Sequence, residues 1–232
     1  INSKGPVQTE GTLFLGAGSL LNGGINAKAE SAVNVYGGTV NGGVNVVAGG
    51  RYFSRASALN GGITNAGSTT LISTPVSGNV VNQGAGTMEL WGIPIKDGSL
   101  TNKDTASLTL VGDTTGISNI TNTGSAKIFI NPNASLEGKT VYNGASAVLE
   151  NNGKLISGTW ITNIGILKNG TAAAEIVGGL DNSGVVDNQG KISGGVKNTG
   201  QLSSTDTGVI NGGLTNSGKV SNAGAVNGGV VN

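Results

Sequence analysis

The chain contains no cysteine and no histidine among its 232 residues. Without cysteine it has no disulfide framework, thiolate nucleophile or cysteine-based zinc site. Without histidine it has no histidine-containing catalytic triad and no histidine-ligated metal. Most familiar catalytic machinery is therefore excluded. We expect a protein that is not an enzyme, has no catalytic residue and binds no metal or cofactor.

Charge and long apolar runs are also scarce. Charged residues make up 11% of the chain and the formal net charge is +1, so the basic footprint that binds nucleic acid is missing. No run approaches the ~18 apolar residues of a membrane-spanning helix, and we expect no membrane-spanning segment in this fragment. The chain opens at Ile1 without a cationic and apolar leader, which indicates an excised or mature fragment.

Glycine is abundant, at 43 residues, and it accompanies one recurrent motif. The motif is a β-branched residue or leucine, then any residue, then asparagine, and its copies are 16 to 21 residues apart. Two weaker copies, Ile25–Ala27 and Val44–Val46, precede the clear ones. The clear copies are Ile63–Asn65, Val80–Asn82, Leu100–Asn102, Ile120–Asn122, Val141–Asn143, Ile161–Asn163, Leu180–Asn182, Val196–Asn198, Leu214–Asn216 and Val230–Asn232.

Each repeat divides into three short apolar segments. Leu180, Val186, Ile192 and Val196 illustrate the division, since successive apolar positions are six, six and four residues apart. Such segments are too short for amphipathic helices and suit strands separated by Asn and Gly corners. The pattern predicts an all-β, right-handed parallel β-helix of about 12 coils of 16 to 21 residues, in a single domain over residues 1–232. A left-handed hexapeptide helix is the alternative, but the uneven spacing disfavours it.

The asparagine of the motif is expected inside the helix. Alternation along a strand puts the first and third residues of each triplet on the same side, and a buried amide needs hydrogen-bond partners. Stacked amides supply one another with such partners. The predicted internal ladder comprises Asn65, Asn82, Asn102, Asn122, Asn143, Asn163, Asn182, Asn198 and Asn216.

Function is expected where the repeat is interrupted. Residues 51–58 hold both arginines of the chain, and residues 88–97 hold its only methionine and a tryptophan. Arginine beside aromatic rings is common at binding hot spots. We therefore predict ligand binding at Arg51, Tyr52, Arg55 and Trp91. The structural alternative for residues 51–58 is one solvated coil edge with Phe53 in the core, and for residues 88–97 it is core filling, which is the favoured interpretation there. Residues 113–116 and 203–208 are expected to form loops outside the rod.

Paired carboxylates provide the remaining catalytic hypothesis. Many glycan-cleaving enzymes use two Asp or Glu residues, so a β-helical polysaccharide lyase or tailspike-like depolymerase is the alternative function. The nearest repeat-spaced pairs are Asp97 with Asp113 and Glu137 with Glu150, while Asp181 and Asp187 are one segment apart.

The run from Val35 to Gly50 resembles the 19-residue repeats of AIDA-type self-associating autotransporter adhesins. The repeats from Leu214 to Gly229 are similar to those of autotransporter passengers and filamentous-haemagglutinin-like exoproteins. This resemblance implies a secreted Gram-negative passenger displayed at the outer membrane on the bacterial cell surface. Such a passenger would mediate aggregation, biofilm formation or host attachment. Its partner would be the same protein on a neighbouring cell, or a host surface protein or glycan. Ser54 and Ser57 would be plausible heptose acceptors.

Overall fold

The computed structural model describes all residues from Ile1 to Asn232. The structure is all-β with 35 strands and no helix. Every pairing between strands is parallel, and the strands stack as a β-solenoid of about 12 turns. The predicted β-helix is therefore confirmed. Most turns have three strands, so the molecule has three lateral faces.

The first face carries the triplet motif. Its strands pair in register, with Asn65 beside Asn82 and Asn82 beside Asn102. The strands confined to this face are Val7–Thr9, Ile25–Ala27, Val44–Val46, Ile63–Asn65, Val80–Asn82, Leu100–Asn102, Ile161–Asn163, Leu180–Asn182, Val196–Asn198, Leu214–Asn216 and Val230–Val231.

The second face is one continuous 12-stranded sheet. Its strands have four or five residues. Along each strand, inward positions alternate with outward ones. They are Thr12–Leu15, Ala32–Tyr36, Arg51–Arg55, Ser68–Ile72, Thr87–Trp91, Ser107–Leu110, Lys127–Ile130, Val148–Asn151, Ile166–Asn169, Val185–Asn188, Gln201–Ser204 and Lys219–Asn222.

The third face joins the second to the first. Its strands are Leu20–Asn22, Thr39–Asn41, Ala58–Asn60, Val76–Ser77, Ile95–Lys96, Lys154–Ser157, Glu175–Val177, Lys191–Ser193, Val209–Asn211 and Ala225–Asn227. Two nine-residue strands, Thr114–Asn122 and Ser135–Asn143, run from the third face onto the first. Residues 113–116 therefore do not form the predicted loop, because Thr114 begins a paired strand. Residues 203 and 204 end a strand, and a turn follows them.

The corner between the third and first faces is made by glycine pairs in most turns. Gly42 and Gly43 have φ values of 98° and 81°, which only glycine adopts readily. Both amides donate to the carbonyl of Asn60 in the next turn, at 2.9 and 3.0 Å. A Cβ at Gly43 would lie 2.7 Å from the carbonyl oxygen of Gly61. Successive turns are thus too close at this corner for side chains.

The core is a single column of inward apolar side chains. It contains 41 buried residues in one cluster. Leu180, Val186 and Ile192 belong to it, each from a different face and each fully buried. A single turn cannot bury its inward apolar side chains by itself. Stacking of the turns therefore supplies both the core and the backbone pairing.

Candidate binding surface and asparagine ladders

The outer side of the second face carries most of the exposed aromatic side chains of the first five turns. In-register pairing puts Tyr36, Arg55, Ile72 and Trp91 in one outward column. Phe14 and Phe53 share the neighbouring outward column, and Arg51 lies at the start of the same strand as Phe53. We refer to Phe14, Tyr36, Arg51, Phe53, Arg55, Ile72 and Trp91 as the aromatic–arginine surface.

Three of the four predicted ligand-binding residues lie on this surface. Arg51 and Arg55 are exposed, and the Trp91 side chain is 42% exposed. Tyr52 is only 2% exposed and points into the core, so the prediction that it contacts a ligand at the surface needs correction. Burial raises the pKa of Tyr52 to about 12, partly opposed by a hydrogen bond with Ser54.

Phe53 points outward, whereas the structural alternative placed it in the core. The register of the strand explains why Tyr52, and not Phe53, points into the core. Tyr52 lies between Val33 and Thr69, which are both buried, and Phe53 lies between the partly exposed Asn34 and Thr70. Because alternation is fixed along the strand, only one of two adjacent aromatic residues can point inward.

The phenyl and phenol rings of the surface touch one another across turns. The Phe14 and Tyr36 ring centroids are 5.5 Å apart at an interplanar angle of 29°, and those of Tyr36 and Phe53 are 5.3 Å apart at 38°. Gly16 follows the strand that pairs with that of Tyr36, and Phe14 leans over it, with one ring carbon 3.5 Å from the position of a Gly16 Cβ.

The two arginines are free to bind an anion. Neither takes part in the three ion pairs of the structure, and no side-chain hydrogen bond of either guanidinium is present. The nearest acidic neighbour in the outward columns is Glu89, which accepts a hydrogen bond from the Trp91 indole nitrogen at 3.2 Å. The surface is therefore apolar and locally positive.

Sequence reasoning missed Phe14, Tyr36 and Phe53 as members of this surface. The repeat was aligned on the first-face triplets, which leaves the second-face columns unassigned. Aligning Thr12, Ala32 and Arg51 instead puts Phe14 and Phe53 at equivalent positions. That spacing, in a chain with only three phenylalanines, is the signal that could have identified the site.

The nine asparagines of the predicted ladder lie one above another inside the first face. Each Nδ2 donates to the Oδ1 of the next asparagine, at 2.7 to 2.9 Å over all eight steps. In the first eight asparagines the Nδ2 also donates to a backbone carbonyl of that next turn, as from Asn82 to Ser107 at 2.8 Å. These bonds satisfy the buried amides.

The ladder has a defined first member. Val46 occupies the position before Asn65 in the column, so no preceding amide donates to the Asn65 Oδ1. The hydroxyl of Thr69 donates instead, at 2.9 Å, together with the backbone amide of Gly67 at 3.2 Å. Thr69 is therefore a buried cap for the ladder.

A second internal ladder, not predicted, lies at the end of the second face. Asn151 donates to Asn169 and Asn169 to Asn188, both at 2.8 Å, and Asn188 donates to the Ser204 hydroxyl at 3.2 Å. The same apolar-x-Asn triplet marks it, for example at Leu149–Asn151. Unlike Asn65, Asn151 has no cap, and its Oδ1 has no partner.

The carboxylate pairs considered for glycan cleavage are not brought together on one face. Glu137 and Asp181 lie outside the third and first faces, while Glu150 and Asp187 lie outside the second. Asp97 lies in the turn that follows the third-face strand Ile95–Lys96, whereas Asp113 lies in the turn between the second and third faces. No group of three or more acidic residues is arranged to hold a metal.

The suggested heptose acceptors are placed inside the molecule. Ser54 is fully buried, and Ser57 is 6% exposed and donates to the carbonyl of Arg55 at 2.8 Å. A glycosyl group on either hydroxyl would displace core contacts, so the structure contradicts both as acceptors.

Comparison with protein-family models, with curated proteins and with solved structures finds no match to this chain. The class that the structure defines is a parallel β-solenoid of about 12 turns, an architecture compatible with a β-helix passenger. Since the structure contains strands and no helix, it has no membrane-spanning helix.

Proposed function

We propose that the chain is part of the passenger of a Gram-negative autotransporter adhesin, displayed as a rod on the bacterial surface. In this role it attaches cells to one another or to a host surface through its outer faces. The observation that carries the proposal is the exposed aromatic–arginine surface on an otherwise regular solenoid. Exposed apolar patches with arginine are characteristic of interaction sites.

The dimensions suit display of a binding surface at a distance. About 12 turns at ~4.8 Å per turn give a rod of roughly 58 Å. The aromatic–arginine surface lies on the turns nearest Ile1, while the remaining second-face strands extend away from it. The later turns act as a spacer between this surface and the C-terminal end of the rod.

Contact between two copies has its own support. Two rows of outward amides flank the glycine corner of the early turns, linked by hydrogen bonds of 2.6 to 2.9 Å. Beyond the first turn, which contains the exposed Lys4, the strands and corners there, residues 19–27, 39–46, 58–65 and 76–82, contain no charged residue. Two such strips can approach without Coulomb repulsion and can exchange amide hydrogen bonds. The rows, termed the outer amide rows, are Asn2, Asn22, Asn41 and Asn60, with Gln8, Asn26 and Asn45.

The test displays the chain on beads and on a non-adherent bacterial strain, and measures clumping and attachment to host cells. We expect one or both to exceed those of uncoated beads. Replacing Asn45 and Asn60 with lysine should abolish clumping through like-charge repulsion. The matched control places lysine at Ser107 and Thr109, which are outward on the second face, and should leave clumping unchanged.

Attachment to host cells should instead require the aromatic–arginine surface. The R51Q/R55Q/W91A variant is expected to lose it, and K127Q/K168Q on the same face is the control. Beads that neither clump nor attach would refute the adhesin proposal. Cleavage of polysaccharide by the chain would support the glycan-active alternative.

A further inference from the structure

The aromatic–arginine surface combines three properties that together restrict its ligand. It is flat, because its side chains stand in columns on the outside of a sheet. It presents ring edges, because Tyr36 has a ring neighbour on each side. Arg51 and Arg55 are four residues apart on one strand, which separates them by about 13 Å. They lie on either side of the column that holds Phe14 and Phe53.

The electrostatics of the aromatic–arginine surface favour an anionic ligand. Aromatic edges are the positive part of the ring quadrupole, and they attract oxygen atoms. The guanidinium is a planar fork of donors that pairs bidentately with a carboxylate. Both guanidiniums lack a protein partner, and the only acidic side chain in the surrounding columns, Glu89, already accepts a hydrogen bond from Trp91.

An extended peptide has no means of joining the sheet here. The strand Arg51–Arg55 pairs on one side with Ala32–Tyr36 and on the other with Ser68–Ile72. Its backbone groups are therefore already used, and strand addition needs a free edge. Recognition must come from side chains alone, which suits a ligand that offers ring surfaces and oxygens along its length.

The number of cations on the surface indicates how densely charged its ligand is. Densely charged polymers are held by many cations, commonly about six to ten phosphate contacts for a nucleic acid-binding protein. This surface offers two cations, and the whole chain has a net charge of +1. The match is with a polymer that carries well-separated single charges.

We propose that the aromatic–arginine surface binds a polysaccharide whose sugars bear carboxylate groups. The carboxylates pair with Arg51 and Arg55, and the sugar rings and hydroxyls rest on the strip formed by Phe14, Tyr36, Phe53 and Trp91. This assignment rests on the proposed adhesive function and names the ligand class of that site.

The test measures binding of the complete chain to soluble polymers by calorimetry at several salt concentrations. The probes are a glycan in which uronate residues alternate with uncharged sugars (termed the polyuronate below), the same polymer with its carboxylates reduced to alcohols, a densely sulfated glycan and polyglutamate. We expect the polyuronate to bind and its reduced form to bind at least about 10-fold more weakly, because two charge-assisted hydrogen-bond pairs are lost. Polyglutamate should bind no better than the reduced polymer.

Variants locate the binding. R51Q/R55Q should weaken polyuronate binding about 10-fold or more and flatten its dependence on salt. F14A/W91A, which keeps both charges, should also weaken it, whereas charge attraction alone would leave it unchanged. The control K127Q/K168Q removes two positive charges from the same face and should change the affinity less than about twofold. Circular dichroism of each variant verifies that the solenoid is intact.

Other outcomes overturn the assignment. Equal loss in the lysine control would show non-specific charge attraction, and tighter binding of polyglutamate would indicate an acidic protein partner. Preference for the sulfated glycan would show that charge density, not carboxylate pairing, governs recognition. If no polymer binds but displayed beads still adhere, this assignment fails and the adhesin proposal stands. If polyuronate binds but no bead adheres, the ligand assignment stands and the adhesin proposal fails.

Discussion

At the residue scale, Tyr52 connects the register of the second face to the pH dependence of stability. Its phenol is buried in the core, while its neighbour Phe53 takes the outside position. The pKa of Tyr52 is raised from 10.0 to about 12 because burial disfavours the phenolate. The folded state therefore keeps this proton at pH values where the unfolded chain has lost it.

We predict that stability falls as the pH rises from about 10 to about 12. Below pH 10 both states hold the proton and the contribution of Tyr52 is fully present, while above its folded pKa the contribution is lost. A shift of this size corresponds to roughly 3 kcal/mol. Urea unfolding at a series of alkaline pH values measures it, and Tyr52→Phe should remove this part of the slope. An unchanged slope in that variant would contradict a buried Tyr52.

A residue-scale comparison also shows where sequence reasoning succeeds. The asparagine column was predictable because the triplet fixes which side of the strand each residue takes, so Asn65 to Asn216 could be placed without knowing the rest of the turn. Tyr52 and Phe53 could not be assigned in this way. They are adjacent, equally suited to a core, and only their register with Val33 and Thr69 decides between them.

At the scale of a single turn, the glycine corners set how closely successive turns approach. The corner at Gly43 combines a positive φ with a carbonyl oxygen of the next turn only 2.7 Å from where a Cβ would stand. At Thr114–Asn122 and Ser135–Asn143 the chain crosses the same corner as one long strand, and other corners have a single glycine, as at Gly78 and Gly98. The corner therefore has more than one solution, and the glycine pair is the commonest of them.

Three alanine substitutions, one at this corner and two at other turns, separate backbone strain from steric contact. Gly43→Ala should destabilise by at least about 2 kcal/mol, because strain and a backbone clash act together. Gly18→Ala has a φ of 74° but no atom within 4 Å of its Cβ, so strain alone should cost about 1 kcal/mol. Gly11→Ala has neither feature and should change stability by less than about 0.5 kcal/mol. Denaturant unfolding ranks the three, and equal effects would contradict the close approach.

The same scale explains a loop prediction that was wrong. Residues 113–116 are polar and interrupt the repeat, which is typical of an excursion from the rod. In the structure Thr114 is fully buried within a strand and pairs with Leu136. A polar composition does not identify a loop here because short threonine-rich segments also suit the pleated surface of a sheet.

At the scale of the whole molecule, stability is distributed along a single line of turns. Each turn contacts the turns before and after it, so the effect of a core change should remain local. Asn122→Ala removes the acceptor for Asn102 and the donor for Asn143. Each unpaired buried group costs about 1–3 kcal/mol.

We expect amide exchange in Asn122→Ala to accelerate in the turns from about residue 100 to residue 165 and to remain unchanged near Val33 and Ile210. Hydrogen exchange with mass spectrometry provides the measurement. Thr121→Ala, which alters the outward neighbour in the same strand, is the control and should exchange like the unmodified chain. Uniform acceleration along the whole chain would show that the rod unfolds as one cooperative unit.

Architecture was thus more predictable than the candidate binding site. A repeated spacing constrains every turn at once, so Leu180, Val186 and Ile192 were recognisable as core positions on three sides of the coil. The aromatic–arginine surface depends on which residues from different turns become neighbours. Phe14 and Tyr36 are 22 positions apart in the sequence, and only the register of the second face brings their rings together.

The register of the asparagine column makes each turn in the middle of the molecule an interchangeable part. The segment 103–122 begins after one ladder member and ends on the next. Duplicating or deleting it in frame preserves the donor-to-acceptor order and changes the length by about 4.8 Å. Reach and specificity can therefore evolve separately, since the number of spare turns is independent of the side chains that meet the ligand.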